Sequence, residues 1–420
     1  MEEQKPKLCL ITLGCKANQY DSAAILGYLA GQYILVAPVP ETPADIYLIN
    51  TCTVTHKADF DARQWIHRAR RWNPQARIIV TGCMAEVDRE TLKKEKVDSI
   101  FGISERENLI LELACTEPAT ENNIFFHPSA GKQFRARAML KVQEGCNYRC
   151  SYCVVPFARG KSRSLGSEII LEQMRALSGQ GFEEVVLCGI NLGEWGKENG
   201  EELADLILRI VKANFPLRIR LSSLEPMAIT GRLTDVISGS GIICPHLHIP
   251  LQSGDDEILK RMKRPYSAGQ FLKLSDGLFS KIPGLCMGLD VITGFPGEGD
   301  QQFRNTVNLL EQIPFGYLHI FTFSARPNTP AKKLRPKVSE SKSHERAKIL
   351  ALLNQKRKRE FALKQIGKKM EMVIEGKIGE WSFGHSENYL YLKARSQKRI
   401  RERAKVRLVS AAEELIAEEI

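Results

Sequence analysis

Three cysteines, Cys146, Cys150 and Cys153, stand in the stretch EGCNYRCSYC with a C-x-x-x-C-x-x-C spacing. A tetrahedral zinc or an iron-sulfur cube ordinarily takes four protein ligands, so three either find a fourth elsewhere or leave one coordination position open. Zinc sites with short cysteine spacings usually pair two C-x-x-C knuckles or add histidine, and no His or further Cys stands near Cys153. The set therefore favours a 4Fe-4S cube with one iron free to chelate a substrate or cofactor, with structural zinc as the rival reading.

A second set of three lies upstream. The first 115 residues repeat an apolar strand, a cysteine just past its end and a helical stretch: KLCLITLGC ends at Cys15, ADIYLINTC at Cys52 and ARIIVTGC at Cys83. Strands alternating with helices predict a parallel sheet whose post-strand loops share one edge, so these three cysteines should meet in space. Alone, each would read as a small buried residue; the recurrence at one place in three units argues for a joint role.

The elements that position the later set begin at MLKVQEGC, a strand that runs into the motif. Five more strand-like runs follow, EEVVLCGIN, LRIRLSSLEP, PHLHIPLQSG, LCMGLDVITGFPGE and GYLHIFTFSARP, with helical patterns between them. Six strand-helix units predict an α/β fold with an open, partial (β/α)6 barrel, whose active site lies in the loops after the strands. Beyond about Lys368, EMVIEG, ENYLYLKA and AKVRLVSA read as short strands of a small β-barrel, and the closing AAEELIAEEI reads as a short helix. The expected domains are 1–118, 137–367 and 368–420, with a polar linker over 116–136.

The chain has 420 residues, 43% hydrophobic and 26% charged, which suits a globular protein of two or three domains. Its polar N-terminus reads neither as a secretory signal nor as a membrane span, so cytoplasmic residence is expected, with the 11 cysteines reduced. Residues 332–420 hold 23 Lys plus Arg against 12 Asp plus Glu, whereas the rest has 37 of each sign; the whole net charge of +11 lies in this last stretch. That is the footprint of a polyanion partner, RNA or DNA before anything else. Lys393, Arg395, Lys398, Arg399, Arg401 and Arg403, with Lys405 and Arg407, are the candidate phosphate contacts. Trp381, Phe383, Tyr389 and Tyr391 fit base stacking and a barrel core equally well. Cys9, Cys115, Cys188, Cys244 and Cys286 lack ligand spacing and read as structural, and His246 and His248 read as hydrogen-bonded barrel residues.

EGCNYRCSYC after a strand, opening a six-unit barrel, resembles the signature of the radical S-adenosylmethionine (SAM) enzymes. The resemblance implies that the open iron binds the methionine moiety of SAM and that one electron cleaves the sulfonium to a deoxyadenosyl radical. The cysteine trio ahead of the barrel and the basic β-domain behind it are similar to the methylthiotransferases over essentially the whole chain. That implies a second 4Fe-4S cluster on Cys15, Cys52 and Cys83, an RNA-binding TRAM-like module, and an electron donor such as flavodoxin or ferredoxin. TLGCKANQYDS, NTCTVTHKAD, VTGCMA, RIRLSSLEP and LHIFTFSARPNTPA look most like the branch that methylthiolates threonylcarbamoyladenosine beside the tRNA anticodon. Lys16, Ala17 and Asn18 stand where the isopentenyladenosine branch more often has Gln-Met-Asn and the ribosomal-protein branch Pro-Lys-Asn; Asn328 and Glu86 depart from the frequent Gly and Gln. For SAM the resemblance implies contacts from Tyr152, Gly189, Asn191, Ser222, Ser223, Gln252, Gly294 and Glu298, the last two in a run with Gly288 and Gly297, although glycine-rich strand ends occur at any barrel mouth. A methylthiotransferase for isopentenyladenosine and a non-catalytic, metal-containing RNA-binding protein are the alternatives. Oligomeric state is left open.

Overall fold

The computed structural model describes residues 5–114 and 135–420; Cys115 and nearly all of the expected linker lie outside them. The described residues pack into two units, one of 5–114, Glu144–Ser162 and Ser324–Lys332, the other of 135–143, Arg163–Phe323 and Lys333–Ile420.

The first unit contains β1 (Lys7–Thr12), α1 (Lys16–Tyr28), β2 (Ile34–Leu35), β3 (Ile46–Thr51), α2 (His56–Trp72), β4 (Arg77–Gly82), α3 (Cys83–Val87), α4 (Arg89–Lys93), β5 (Ser99–Phe101) and α5 (Arg106–Ala114). The strands form a parallel sheet in the order β2-β1-β3-β4-β5. Continuous apolar runs make these strands because both faces are covered. Tyr47, Ile49, Ile78 and Val80 pack on Ala62, Ile66 and Ala69 of α2, while Leu8, Leu48 and Ile79 pack with Ile25 of α1 and Leu109 of α5. The three cysteine-bearing strands β1, β3 and β4 are immediate neighbours, with Thr12 opposite Asn50 and Thr51 opposite Gly82.

In the second unit β6 (Ala138–Glu144) starts the barrel. Past it, α6 (Val155–Arg159) belongs to the first unit, and the chain continues through β7 (Arg163–Ser164), α7 (Ser167–Gly179), β8 (Glu184–Gly189), α8 (Leu203–Ala213), β9 (Arg218–Leu221), α9 (Gly231–Ser238), β10 (His246–Gln252), α10 (Asp256–Arg261), α11 (Ala268–Lys281), β11 (Cys286–Thr293), α12 (Asp300–Gln312), β12 (Tyr317–Thr322) and α13 (Glu340–Leu363). The six expected parallel strands are all present, in two sheets ordered β7-β6-β8-β9 and β10-β11-β12, bridged at Ile219 and Ile243. The break falls beside β9, which is only 4 residues long.

The C-terminal strands β13 (Lys369–Ile378), β14 (Trp381–Ser386), β15 (Tyr391–Arg395), β16 (Arg403–Ala411) and β17 (Leu415–Glu419) close into a barrel in the order β13-β14-β15-β17-β16. Two features differ from the sequence reading. The closing residues are strand β17, not a helix: pairing with both β15 and β16 removes the last free edge, and Ala417 points into the core. Strand β14 escaped notice because its inward positions are Ser382, Gly384 and Ser386 while Trp381, Phe383 and His385 face outward, an inverted alternation. The barrel core is aliphatic, built from Met370, Met372, Ile374, Leu392, Val406 and Leu408, so the aromatics are not its filling.

This barrel is fixed to the rest of its unit by a buried ion cluster. Glu184 bonds Arg218 at 2.5 Å and Arg220 at 2.7 Å. The guanidiniums then donate to backbone carbonyls of the barrel, Arg218 to Glu371 at 2.6 Å and Arg220 to Ser386 at 2.9 Å. Burial alone would raise the Glu184 pKa, but Arg220 and Arg218 outweigh burial and lower it to about 2. A depressed carboxylate contributes stability that is present above its ordinary value of 4.5 and is lost as pH falls toward about 2. Replacing Glu184 with Gln leaves two buried guanidiniums without their counter-charge and is expected to cost about 3–5 kcal/mol, read by denaturant unfolding. A variant as stable as wild type at pH 7 would show that the cluster carries no net stability.

Candidate active site

In the first unit the three N-terminal cysteines stand at one end of the sheet, as the strand pattern predicts. Cys52 and Cys83 follow directly on register partners Thr51 and Gly82 and are buried, while Cys15 is exposed at the start of α1. Gly14 makes the close approach possible: at φ +90° it turns the chain before Cys15, and a Cβ there would stand 2.6 Å from Cys52 Cβ and 2.8 Å from its Sγ. Burial and then the neighbouring Cys83 thiol push the Cys52 pKa up to about 12, and burial likewise raises that of Cys83. Three thiols gathered in this way form a soft donor set, and a cation would offset the burial of Cys52 and Cys83.

Asn18 straps the loops together. Its side-chain amide donates to Leu13 O at 2.8 Å and Thr51 O at 2.9 Å, and its carbonyl oxygen lies 4.0 Å from Cys83 Sγ. The same oxygen accepts from Arg159, which also bonds Asp21 at 3.0 Å and Glu144 at 2.7 Å. Burial works against the Arg159 charge, but Glu144, Cys83 and Asp21 outweigh it and raise the pKa well above the ordinary value. A permanent buried cation thus stands beside the N-terminal thiols, on a helix that follows the Cys146–Cys153 loop. The sequence marks Asn18 only through the branch resemblance and does not mark Arg159: an Arg six residues after a cysteine motif carries no signal of its own.

Cys146, Cys150 and Cys153 lie on the loop between β6 and α6, as expected, and none of the described cysteines forms a disulfide. The loop backbone is held independently of the thiols: Cys146 N–H donates to Gly160 O at 3.1 Å, and Ser151 O accepts from Ala331 N–H at 2.8 Å. Tyr152 is on this loop, in the first unit. The stretch SARPNTPA also belongs here. Arg326, fully buried, donates to Thr53 at 2.7 Å and pairs with Asp59, so two motifs quoted only for resemblance hold each other, and Asn328 adopts φ +62°, a conformation Asn tolerates.

The remaining SAM candidates are in the second unit, at the C-terminal ends of successive parallel strands. Gly189 ends β8, Ser222 and Ser223 follow β9, Gln252 ends β10 beside a bulge at φ +65°, and Gly294 follows β11. Asn191 N–H donates to Gln143 Oε1 at 2.8 Å, which fixes the turn after β8. The Ser222 hydroxyl is buried with no hydrogen-bond partner among the described residues, which leaves it able to bond a ligand or a water. Glu298 has a different employment: its carboxylate accepts from Gly294 N–H at 3.1 Å and Arg346 at 2.7 Å, so it shapes the loop. Gly288 leaves room for the Tyr317 ring, which a Cβ would meet at 2.1 Å, and Tyr317 in turn bonds His246 at 2.9 Å and His248 at 3.1 Å. Both histidines are hydrogen-bonded barrel residues, as expected. Cys9, Cys188, Cys244 and Cys286 are buried, and burial pushes Cys9 and Cys244 up to about 11 and Cys286 to about 12, which leaves them inert.

On the candidate RNA face, Lys398, Arg399, Lys405 and Arg407 are exposed. Lys393 pairs with Glu414 at 2.7 Å and Arg395 with Glu380 at 3.0 Å, both outside the barrel. Arg401 and Arg403 are half-buried against neighbouring elements instead, Arg401 over the Phe182 ring at 4.2 Å and Arg403 on Glu183 at 3.2 Å.

A parallel sheet with three thiols on adjacent strand ends, a partial six-strand barrel opened by a second trio and a closed terminal barrel define an iron-sulfur radical enzyme. The chain belongs to the radical SAM methylthiotransferases. Residues 140–310 match the radical SAM superfamily, and residues 7–102 match an uncharacterized protein family, UPF0004. The chain is 36% identical, over 94% of its own length and 98% of the relative's, to the threonylcarbamoyladenosine tRNA methylthiotransferase MtaB of Aquifex aeolicus. It is 35% identical to the Bacillus subtilis protein of the same description, over 90% of this chain and 88% of that one. A tRNA-2-methylthio-N(6)-dimethylallyladenosine synthase of Pelotomaculum thermopropionicum is 32% identical, over 88% of this chain and 87% of that one. Among solved structures, the radical S-adenosylmethionine methyltransferase TsrM of Kitasatospora setae shares the fold, with TM-score 0.56 and 14% identity over 78% of this chain and 77% of that one. As a member of the family the chain is an enzyme that uses SAM and two 4Fe-4S clusters, which displaces the non-catalytic reading.

Proposed function

We propose that this enzyme inserts a methylthio group at the ring C–H of threonylcarbamoyladenosine at tRNA position 37, in the anticodon stem-loop. The observation that carries the reading is the pair of incomplete cysteine trios, one on adjacent strand ends and one on the loop that opens the barrel, in a chain 33% to 37% identical to relatives described by that activity. Cys146, Cys150 and Cys153 would hold the cluster that binds SAM, and Cys15, Cys52 and Cys83 the second. When bound, these groups supply a carbon radical able to attack an unactivated C–H bond, together with sulfur and methyl.

What the chain's own residues do follows from their placement. Arg159 keeps positive charge beside Cys52 and Cys83, which favours their thiolate form against burial and balances an anionic cluster. Asn18 and Gly14 hold the Cys15 and Cys52 loops at close approach. In the second unit Ser222 offers a buried hydroxyl to SAM, with the turns at Gly189 and Asn191, Ser223, Gln252 and Gly294 forming the rest of that rim. A reducing partner of the flavodoxin or ferredoxin kind supplies electrons. No helix among the described residues is long and apolar enough to cross a membrane, and work on tRNA fits the cytoplasm.

Incubating the reconstituted enzyme with SAM, reductant and tRNA carrying either threonylcarbamoyladenosine or isopentenyladenosine, then digesting to nucleosides for mass spectrometry, tests the substrate. Methylthio transfer only to isopentenyladenosine would overturn this reading. Phosphate contact is tested separately. Replacing Lys398, Arg399, Lys405 and Arg407 with Ala is expected to weaken tRNA binding and to flatten the slope of log affinity against log salt by about 3, each lost contact removing roughly 0.7–0.9. Point changes serve better than truncation after Gly367, because Arg218 and Arg220 would lose their barrel partners. An unchanged slope would place the phosphates elsewhere.

A further inference from the structure

We infer that a cavity in the second unit, bounded by β12, α13 and the C-terminal barrel, binds one nucleotide of the RNA loop other than the nucleotide that is modified. The inference rests on the tRNA reading above and assigns a second contact within it. The cavity measures about 550 Å³, a size that suits a nucleotide-scale ligand. Its walls are rings: Tyr389 and Tyr391 from the barrel, His385 beside them and His319 from β12. Tyr391 is 53% exposed, and its ring makes only loose contacts, 6.4 Å between centroids with Phe383 and 5.0 Å with His385. An aromatic side chain held in this way on a rigid strand has a face available for stacking.

Charge selects the class of ligand. Lys358 and Arg359 line the same cavity from α13, are exposed, and have no acidic partner among the described residues, while no Asp or Glu lines it. Rings that stack with any base and two unopposed cations for a phosphate are the recognition chemistry of single-stranded nucleic acid. The back wall is built for rigidity. Tyr389 adopts φ +70°, a costly conformation for a bulky residue, and this places its ring on His246 at 4.1 Å and near the Arg220 guanidinium at 5.2 Å. From the cavity at Tyr317 to the end of β12 at Thr322 is five residue steps, roughly 17 Å along the strand. A nucleotide in the cavity, at the starts of β11 and β12, is therefore not the one presented at the strand ends.

The test uses the full-length, reconstituted enzyme and an anticodon stem-loop RNA that carries threonylcarbamoyladenosine. Tyr391→Ala is expected to weaken RNA binding about tenfold, the scale of one lost base stack, while Tyr391→Phe, which keeps the ring, binds as wild type. Replacing Lys358 and Arg359 together with Ala should flatten the salt slope by about 1.4, two phosphate contacts at the single-strand value. With 4-thiouridine placed at successive loop positions, crosslinking to the Tyr389–Tyr391 peptide should peak at one position other than 37. Wild-type affinity and slope in both the Tyr391→Ala and the Lys358/Arg359 variants would overturn the inference. So would slower reduction by a flavodoxin-type donor with unchanged RNA binding, which would assign the cavity to a protein partner. Methylthio transfer by the wild-type enzyme is measured alongside, so a failure of the substrate reading is seen in that protein and a failure of this inference only in the variants.

Discussion

A protein in which Cys146, Cys150 and Cys153 are replaced by alanine is expected to keep about half of its iron and to form no deoxyadenosine from SAM. The loop that carries these residues does not depend on metal for its course. Its backbone is bonded to Gly160 and Ala331, and Gly145, at φ +73°, lets it pass so close to Lys161 that a Cβ would stand 2.0 Å from the carbonyl oxygen. Alanine should therefore remove thiolates without unfolding the loop, and the N-terminal thiols, on other elements, keep their cluster. Iron and sulfide counting after anaerobic reconstitution, with chromatography of the nucleoside products, reads both effects. Loss of all iron, or of none, would end the two-cluster assignment.

The architecture could be read from the chain because its signals are local and repeated. Apolar runs such as LINTC and RIIVTGC name a buried parallel strand and the place where it ends, and the ends of parallel strands share an edge whatever the details of packing. The terminal barrel was less readable for a definite reason. Where the inward side chains are Ser382, Gly384 and Ser386, hydrophobic alternation points the wrong way, and the acidic run around β17 has helix-forming composition that is overridden by the need to close an edge.

The site divides along the same line. Ligand cysteines announce themselves by spacing and position, but their supports do not. Asn18, Arg159 and Arg326 act through partners 33 to 273 residues away in sequence, Thr51, Asn18 and Thr53 respectively, and no window of the chain contains both members of a pair. The phosphate-binding assignment shows the converse. A run of cations from Lys393 to Arg407 reads as one stripe, yet packing against neighbouring elements takes up Arg401 and Arg403 at Phe182 and Glu183 and leaves Lys398, Arg399, Lys405 and Arg407 outward. Charge counts specify a partner class; only the fold says which charges are available.

The complementary change, alanine at Cys15, Cys52 and Cys83, is expected to leave SAM cleavage in place and to abolish methylthio transfer to RNA. The point at issue is whether the two trios can be separated, because Arg159 joins them: it lies beside the N-terminal thiols and is bonded to Glu144, two residues before Cys146. Its charge, however, is balanced by Asp21 at 3.0 Å and Glu144 at 2.7 Å, and its bond to Asn18 is to an amide that Leu13 and Thr51 fix from the other side. Removing the three sulfurs takes away its hydrogen bond to Cys83 but leaves these partners, so the guanidinium stays paired and the Glu144 end of the loop in place. Deoxyadenosine formation at the wild-type rate with no methylthiolated nucleoside, and about half the iron, is the expected pattern. Retained transfer in this variant would remove the N-terminal trio from the reaction. Loss of SAM cleavage as well, with the cluster on Cys146, Cys150 and Cys153 still loaded, would show that Arg159 makes the two trios a single functional unit.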